Sequence, residues 1–572
     1  MMTPRAEYPN PHFARDNWES LNGEWEFSFD EPVFDRTIIV PFAFETKLSG
    51  IGVNEFHKTV WYRRTFHIPH SMKDKLIILH FGAVDYRCRV WVNDRQVAEH
   101  VGGQVGFSTD ITEAIQPDKP NVIRVMVEDD PLDLGIPRGK QYWEKTSKSI
   151  FYTKTTGIWQ SVWLEAVSSN HLKNVYITPL LDEKAVKIDY ELAGEEDLLL
   201  VTRISYKDTR VAKITTENNS FNGSMTVNLE QPALRAWNFV EDLTWSPENP
   251  RLFDVVFSVY HKGELADRVA SYFGMRKVSV DNGLFMLNNR PYYQKLVLDQ
   301  GYWPESLLTA PSDQAFIDDI LLAKQMGFNG ARKHQKVEDP RYLYHADRLG
   351  FLVWGEIGAA YIYSRNYAAT MTREWSEAVL RDYNHPSIVA WTPLNESWGI
   401  LQVKNNPMEQ GHCSAMYHLT KSLDDTRVVI DNDGWEHTCG DLLTIHDYEW
   451  RSEVLKERYS TLERVLSSMP ADRPLYVKGY DYNRQPVLVT EFGGISFITG
   501  DENGWGYSTA TAPEDFLKRY EDVVAPLLAS PVVQGFCYTQ LTDVEQEKNG
   551  LLNYDRSAKV DLEAIKRINE GC

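Results

Sequence analysis

Through the first part of the chain, apolar and polar residues alternate with a period of two. Residues 21–29, 60–66, 88–92 and 121–127 each place hydrophobic side chains on one face and polar ones on the other, as half-buried strands do. Asn93-Asp94 supplies a turn before the next strand at 95–98. Short strands, turn signals and no long helix predict a β-sandwich over residues 1–168. One stretch, 131–152, is a long polar loop rich in Gly, Lys and aromatics. Loops of that length are functional or disordered, and this one has the reach to enter an active-site mouth. The alternation continues at 175–178 and 186–190, and a run at 252–259 is expected to pair with one near 267–273. This texture predicts a second, immunoglobulin-like β-sandwich over 169–276, read as a spacer; it lacks the Cys-Trp-Cys signature of antibody domains.

From residue 277 the pattern changes. Apolar runs of strand length alternate with helical segments, which signals a parallel sheet. Eight runs are present, at 293–299, 328–334, 351–356, 388–396, 428–433, 442–448, 487–491 and 533–540. Eight is the number a (β/α)8 TIM barrel needs, predicted here over 277–572. Ser312 is placed to cap a helix carrying Phe316, Ile320 and Ala323 and stopped by Gly327. Asp339 starts another carrying Tyr342, Leu343, Ala346 and Leu349 and stopped by Gly350. The crossover between Trp435 and Asp441 is too short for a full helix.

These strands finish in polar or ionisable residues: Asp299, Arg332 with His334, Glu356, Asn395 with Glu396, Asp431 with Asp433, His446 with Tyr448, Glu491, and Tyr538 with Gln540. TIM-barrel active sites lie at the C-terminal ends of the strands, so the ring points to an enzyme. Two members stand out. Glu396 and Glu491 each end an apolar run, and burying a carboxylate there costs several kcal/mol unless it is paired or neutral. Two carboxylates at two strand ends are what retaining glycoside hydrolysis requires, with the carboxyls roughly 5–5.5 Å apart. The acid must start protonated, which predicts a raised pKa for Glu396; the nucleophile, Glu491, must be ionised and needs hydrogen-bond donors.

The segments Asn384-His385-Pro386-Ser387, Trp391, Asn395-Glu396 and Thr490-Glu491-Phe492-Gly493 resemble the acid/base and nucleophile segments of glycoside hydrolase family 2, which includes β-galactosidases, β-glucuronidases and β-mannosidases. Leu21-Asn22-Gly23 with Trp25, Val90-Trp91-Val92-Asn93 and Gly157-Ile158-Trp159-Gln160 resemble that family's N-terminal sugar-binding-like jelly roll. The resemblance implies Glu396 as acid/base, Glu491 as nucleophile, Arg332 and Tyr448 as its donors, and Asn395 as the holder of the sugar 2-hydroxyl. Asp299, His334, Glu356, Asp433, His446 and Tyr538 then contact the sugar or orient a neighbour. Trp398, like Trp303, Trp354, Trp435 and Trp505, is placed to stack on a sugar face or simply to pack.

Departures from the family pattern bear on specificity. Asn329 to His334 brings the histidine one residue early. In Gln546-Glu547-Lys548-Asn549-Gly550, Glu547 occupies the position of the Asn that grips a uronate in β-glucuronidases and would repel one. Glu356 lacks the Glu-x-His partner of magnesium-binding relatives, so no metal or other cofactor is expected. The expected activity is an exo-acting retaining β-glycosidase on a β-galactoside-like sugar. Other β-sugars, a transglycosidase and a catalytically inactive carbohydrate-binding protein remain as alternatives.

Composition adds limits. The chain of 572 residues is too long for one core. A formal net charge of -21 argues against nucleic-acid or anionic-membrane partners and leaves a small carbohydrate as the expected one. The five cysteines are scattered, which predicts neither a zinc site nor a disulfide framework. The N-terminus shows no apolar leader and no run approaches membrane-spanning length, so the expected location is cytoplasmic. The resemblance implies a homo-oligomer.

Overall fold

A computed structural model describes residues 3–218, 220–230, 243–498 and 504–571. In the N-terminal sandwich a four-stranded sheet built on Leu76–Phe81 and Val162–Val167 packs against a six-stranded sheet built on Gly23–Phe29, Thr59–Phe66 and Asn121–Glu128. The period-two pattern is the cause. Trp25 and Phe27 from one sheet and Leu79 and Leu164 from the other meet in a single core. The middle sandwich pairs a three-stranded with a four-stranded sheet, and Phe253–His261 forms a hairpin with Glu264–Phe273.

The C-terminal domain is an eight-stranded parallel sheet curled into a barrel. Its strands are β1 (Gln294–Asp299), β2 (Gly330–Lys333), β3 (Leu352–Glu356), β4 (Ile388–Thr392), β5 (Val428–Val429), β6 (Leu443–Asp447), β7 (Val487–Gly493) and β8 (Val533–Thr539). The ladder runs β5-β4-β3-β2-β1-β8-β7-β6. Its seam falls between β5 and β6, where the crossover carries no helix. There the Asp441 amide donates to Val429 O at 2.9 Å and the Asp441 carboxylate accepts from the Val429 amide at 2.9 Å. Helix α1 (Asp313–Gln325) is capped by Ser312, which accepts from the Ala315 amide. Helix α2 (Pro340–Leu349) is capped by Asp339 and ends on Gly350 in the left-handed region.

The three domains are stitched at named points. Arg276 of the middle sandwich donates to Pro386 O and Ile388 O. Asn384 bonds Val175 O and the Ile177 amide, so the first residue of the Asn384-His385-Pro386-Ser387 motif docks a domain. Thr309 donates to Trp159 O at 2.6 Å, joining the barrel to the N-terminal sandwich. The four described cysteines are free. Among the described residues, no helix is long and apolar enough to cross a membrane.

Candidate active site

Alternation along β2 sends Arg332 into the barrel and Lys333 outward to the helical layer. Arg332 is fully buried, and its planar fork organises the floor of the mouth. It donates to Glu356 Oε1 at 2.7 Å, to Asn395 Oδ1 at 2.8 Å and to Glu491 Oε1 at 3.2 Å, and pairs with Asp433 Oδ2 at 2.6 Å. His334 lies beside Glu356 at 3.1 Å; burial pushes its imidazole well below the usual range and keeps it neutral. Glu356 has both oxygens engaged, by Arg332, His334 and the Gln335 amide. Buried and held on both oxygens, it orients the arginine.

Glu396 leaves β4 on a tight turn. Glu396 and Ser397 both sit at positive φ, 52° and 59°, a conformation non-glycine residues adopt at a cost. Three hydrogen bonds hold it: the Glu396 amide to Asp433 O, the Ser397 amide to Asn432 Oδ1, and Ser397 Oγ to Glu436. The turn aims Glu396 back at the mouth, where it meets His446 Nδ1 at 2.8 Å and Trp398 Nε1 at 3.3 Å. His446 reaches Asp433 through Nε2 at 2.9 Å and Glu491 through Nδ1 at 3.5 Å. Both ring nitrogens face carboxylates, the arrangement of an imidazolium. Burial lowers its pKa, but the surrounding carboxylates, Glu491 and Asp433 foremost, raise it to about 10.

That partner changes the protonation expected for Glu396. Burial pushes its carboxyl up, yet the His446 hydrogen bond and charge outweigh burial and leave it below the usual range. The raised pKa read from the sequence is thus not found in the free protein, because the proton resides on the neighbouring histidine. Glu491 accepts from Tyr448 Oη at 2.7 Å as well as from Arg332. An oxygen of Glu396, a nitrogen of His446 and an oxygen of Glu491 lie within 4.8 Å of one another. The trio has the atom types of a metal site.

Two expected site residues face the other way. Asp299 points outward from β1, paired with Lys333 Nζ at 2.6 Å and accepting from the Gly301 amide. Tyr538 points outward from β8, packed on Phe492 and on Tyr520 of the helix at Pro513–Leu528. Strand alternation is the reason: Cys537 joins the barrel interior, and Thr539 Oγ1 lies 3.2 Å from Tyr448 Oη. Trp303 and Trp354 are buried packing residues, whereas Trp398, Trp435 and Trp505 reach the mouth, Trp435 set edge-on to His446.

Tyr507 was not singled out from the sequence, whereas the loop at 131–152 was expected to reach the mouth. Tyr507 stacks on Tyr448 at 3.5 Å between ring centroids. The loop 131–152 of the N-terminal sandwich is strapped across the rim. The Gly139 amide donates to Ala359 O at 3.0 Å, Tyr361 Oη to Gln141 O at 2.9 Å, Gln546 Nε2 to Phe151 O at 2.9 Å and Trp505 Nε1 to Ser149 O at 3.0 Å. Phe151 packs edge-on to Trp398 at 5.3 Å. Gly139 sits at φ +63°, and a Cβ there would lie 2.2 Å from Gln335 O, so only glycine permits this approach.

Comparison with known proteins finds matches over all three domains. Residues 278–568 match the model for the glycosyl hydrolases family 2 TIM barrel domain, 18–165 the family's sugar binding domain, and 170–276 a third model of glycosyl hydrolases family 2. A β-galactosidase of Thermoanaerobacter pseudethanolicus is 27% identical over 66% of this chain and 50% of its own length. A putative β-glucuronidase of Formosa agariphila is 27% identical over 60% of this chain and 40% of its own. The matched region thus spans half or less of these relatives. The solved β-D-glucuronidase of Dictyoglomus thermophilum shares the fold with a TM-score of 0.78 at 20% identity, covering 99% of both chains.

Proposed function

The chain belongs to glycosyl hydrolases family 2, and on that premise we propose that it is an exo-acting, retaining β-glycosidase that removes a terminal, uncharged, β-galactoside-like sugar. One observation carries the reading: the oxygens of Glu396 and Glu491 approach within 4.8 Å across one mouth. A closest approach of that size fits the carboxyl separation of about 5–5.5 Å used for covalent double displacement. Glu491, oriented by Arg332 and Tyr448, attacks the anomeric carbon. The glycosidic C–O bond breaks as Glu396 gives its proton to the leaving oxygen. Glu396, now a carboxylate, then takes a proton from water as that water attacks the glycosyl-enzyme and frees Glu491.

The Glu396–His446 pair holds this proton as a unit in the free enzyme, and the 2.8 Å bond is the path by which it returns to Glu396 when a sugar excludes water. Relatives named β-glucuronidase favour a second reading, cleavage of a uronide. The buried Glu547 carboxylate opposes it.

The test is release of 4-nitrophenol from a panel of aryl β- and α-glycosides, including β-galactoside, β-glucoside and β-glucuronide. We expect one uncharged β-glycoside to be cleaved with retention. Glu491→Gln is expected to be inactive, a loss of at least about 10⁴-fold, of the size seen when a nucleophile is removed. Inversion of the anomeric centre, or an active Glu491→Gln enzyme, would falsify the proposal.

A further inference from the structure

The two oxygens of Glu396 have different neighbours. Oε1 meets His446 Nδ1 at 2.8 Å, and that nitrogen lies 3.5 Å from Glu491, so this oxygen is turned toward the nucleophile. Oε2 is turned to Trp398 and accepts from its Nε1 at 3.3 Å. Trp398 opens a cluster of rings shared by two domains. Its indole packs edge-on to Phe151 of the strapped loop and to Tyr361 of the barrel, both at 5.3 Å between centroids. Trp143, on the same loop, meets Phe151 at 5.0 Å and Tyr361 at 4.8 Å. The loop backbone fixes this pairing: the Tyr142 amide donates to Tyr152 O and the Tyr152 amide to Lys140 O, both at 2.9 Å. Tyr361 is buried, whereas Trp143, Phe151 and Trp398 are half-buried and keep ring surface open.

We infer that Trp143, Phe151 and Trp398 form the leaving-group subsite, and that it takes a flat, apolar, aromatic aglycone. This rests on the glycosidase reading above. The acid and the nucleophile flank the scissile bond, and the acid protonates the leaving oxygen. With one oxygen of Glu396 turned to Glu491, the leaving group departs past the other, the one bonded to Trp398. Open ring faces and edges there attract another ring, through burial and through quadrupole contacts. A second sugar suits the place less. It carries hydroxyls around its whole rim, and each one buried needs a partner. Two polar atoms of the cluster are already engaged, Trp398 Nε1 by Glu396 and Tyr361 Oη by Gln141 O. The N-terminal sandwich thus helps to choose what the sugar is cut from, while the barrel does the cutting.

The test is calorimetry with thio-linked β-glycosides, whose sulfur-bridged bond resists cleavage. They carry methyl, phenyl or glucosyl in the leaving position, on the sugar that the aryl panel identifies or on galactose if it identifies none. Wild type is expected to bind the phenyl compound about tenfold more tightly than the methyl, the size of one aromatic contact with its burial. Phe151→Ala and Trp143→Ala are each expected to lose most of that advantage. Phe151→Tyr, which keeps the ring, is expected to retain it. The phenyl-to-methyl ratio within one protein cancels any general loss of sugar affinity, and thermal unfolding is followed for each variant. Equal binding of phenyl and methyl to wild type overturns the inference. So does an advantage that survives both alanine variants, or a glucosyl compound that gains more than the phenyl. If the aryl panel shows no cleavage, the glycosidase reading falls, and the calorimetry still decides the subsite because no compound in it is cleaved. A protein that binds none of the compounds overturns the inference as well.

Discussion

Arg332 and Lys333 are consecutive residues of β2, and each anchors a buried ion cluster, on opposite faces of the barrel wall. Lys333 pairs with Asp299 at 2.6 Å and Glu338 at 2.9 Å, and Lys336 closes the group on Glu338 at 3.1 Å. Two cations meet two carboxylates, and Lys336 also donates to Gly301 O and Leu308 O. Arg332 and the His446 imidazolium face four carboxylates instead: Glu356, Asp433, Glu396 and Glu491. Side-chain exposure separates the clusters. It is 2% and 3% at Lys333 and Asp299, but 17% at Glu396. The outer cluster is electroneutral and locks helices and sandwich to the wall. The inner one is anionic and open at one edge, and that uncompensated edge is where chemistry is available.

The comparison is broken most forcefully at its open edge. Glu396→Ala is expected to lower kcat/KM by about 10²–10⁴-fold on glycosides with poor leaving groups, the range for loss of a general acid. The loss should shrink on 4-nitrophenyl substrates, which need little protonation; an equal loss on both would remove Glu396 from the acid role.

Lys333→Met addresses the closed cluster. It leaves Asp299 buried without its cation and Glu338 with Lys336 alone, and breaking such a buried pair costs about 3–5 kcal/mol of stability. Chemical denaturation should show that drop while kcat/KM at low temperature stays near wild type. A stable but inactive variant would instead place the outer cluster in the mechanism.

The smallest change sharpens the inner cluster. The Glu396–His446 pair retains its proton until His446 titrates at about 10. Asn at 446 cannot carry a proton, so in His446→Asn the proton must reside on Glu396 alone, and a carboxyl loses it at lower pH than the imidazolium. The alkaline limb of kcat/KM, which reports the free enzyme, is expected to move to lower pH. A limb that stays or rises would show that the histidine is not part of the acid.

Much of this was legible in the chain itself. Periods of two and of strand–helix alternation gave both sandwiches and all eight barrel strands, because hydrophobic burial acts through local spacing. The caps at Ser312 and Asp339 were equally readable, since a cap is a local hydrogen bond. Polar strand ends marked the mouth, but not which face each residue took. A shift of one position separates Arg332 from Lys333 and Cys537 from Tyr538, and register is set by neighbouring strands. The protonation of Glu396 was misjudged because His446 lies 50 residues away in sequence and 2.8 Å away in space. The loop at 131–152 was read as able to reach the mouth, and it does, but which of its residues meet the rim is set by tertiary contacts such as that of Gly139 with Ala359.

The strapped loop has a consequence for how such enzymes diversify. The paired carboxylates Glu396 and Glu491 belong to the barrel, while part of the rim beside them is a loop of the N-terminal sandwich, held by Ala359 and Tyr361. Substitution along that loop can therefore reshape the entrance while every residue that holds the two carboxylates stays as it is.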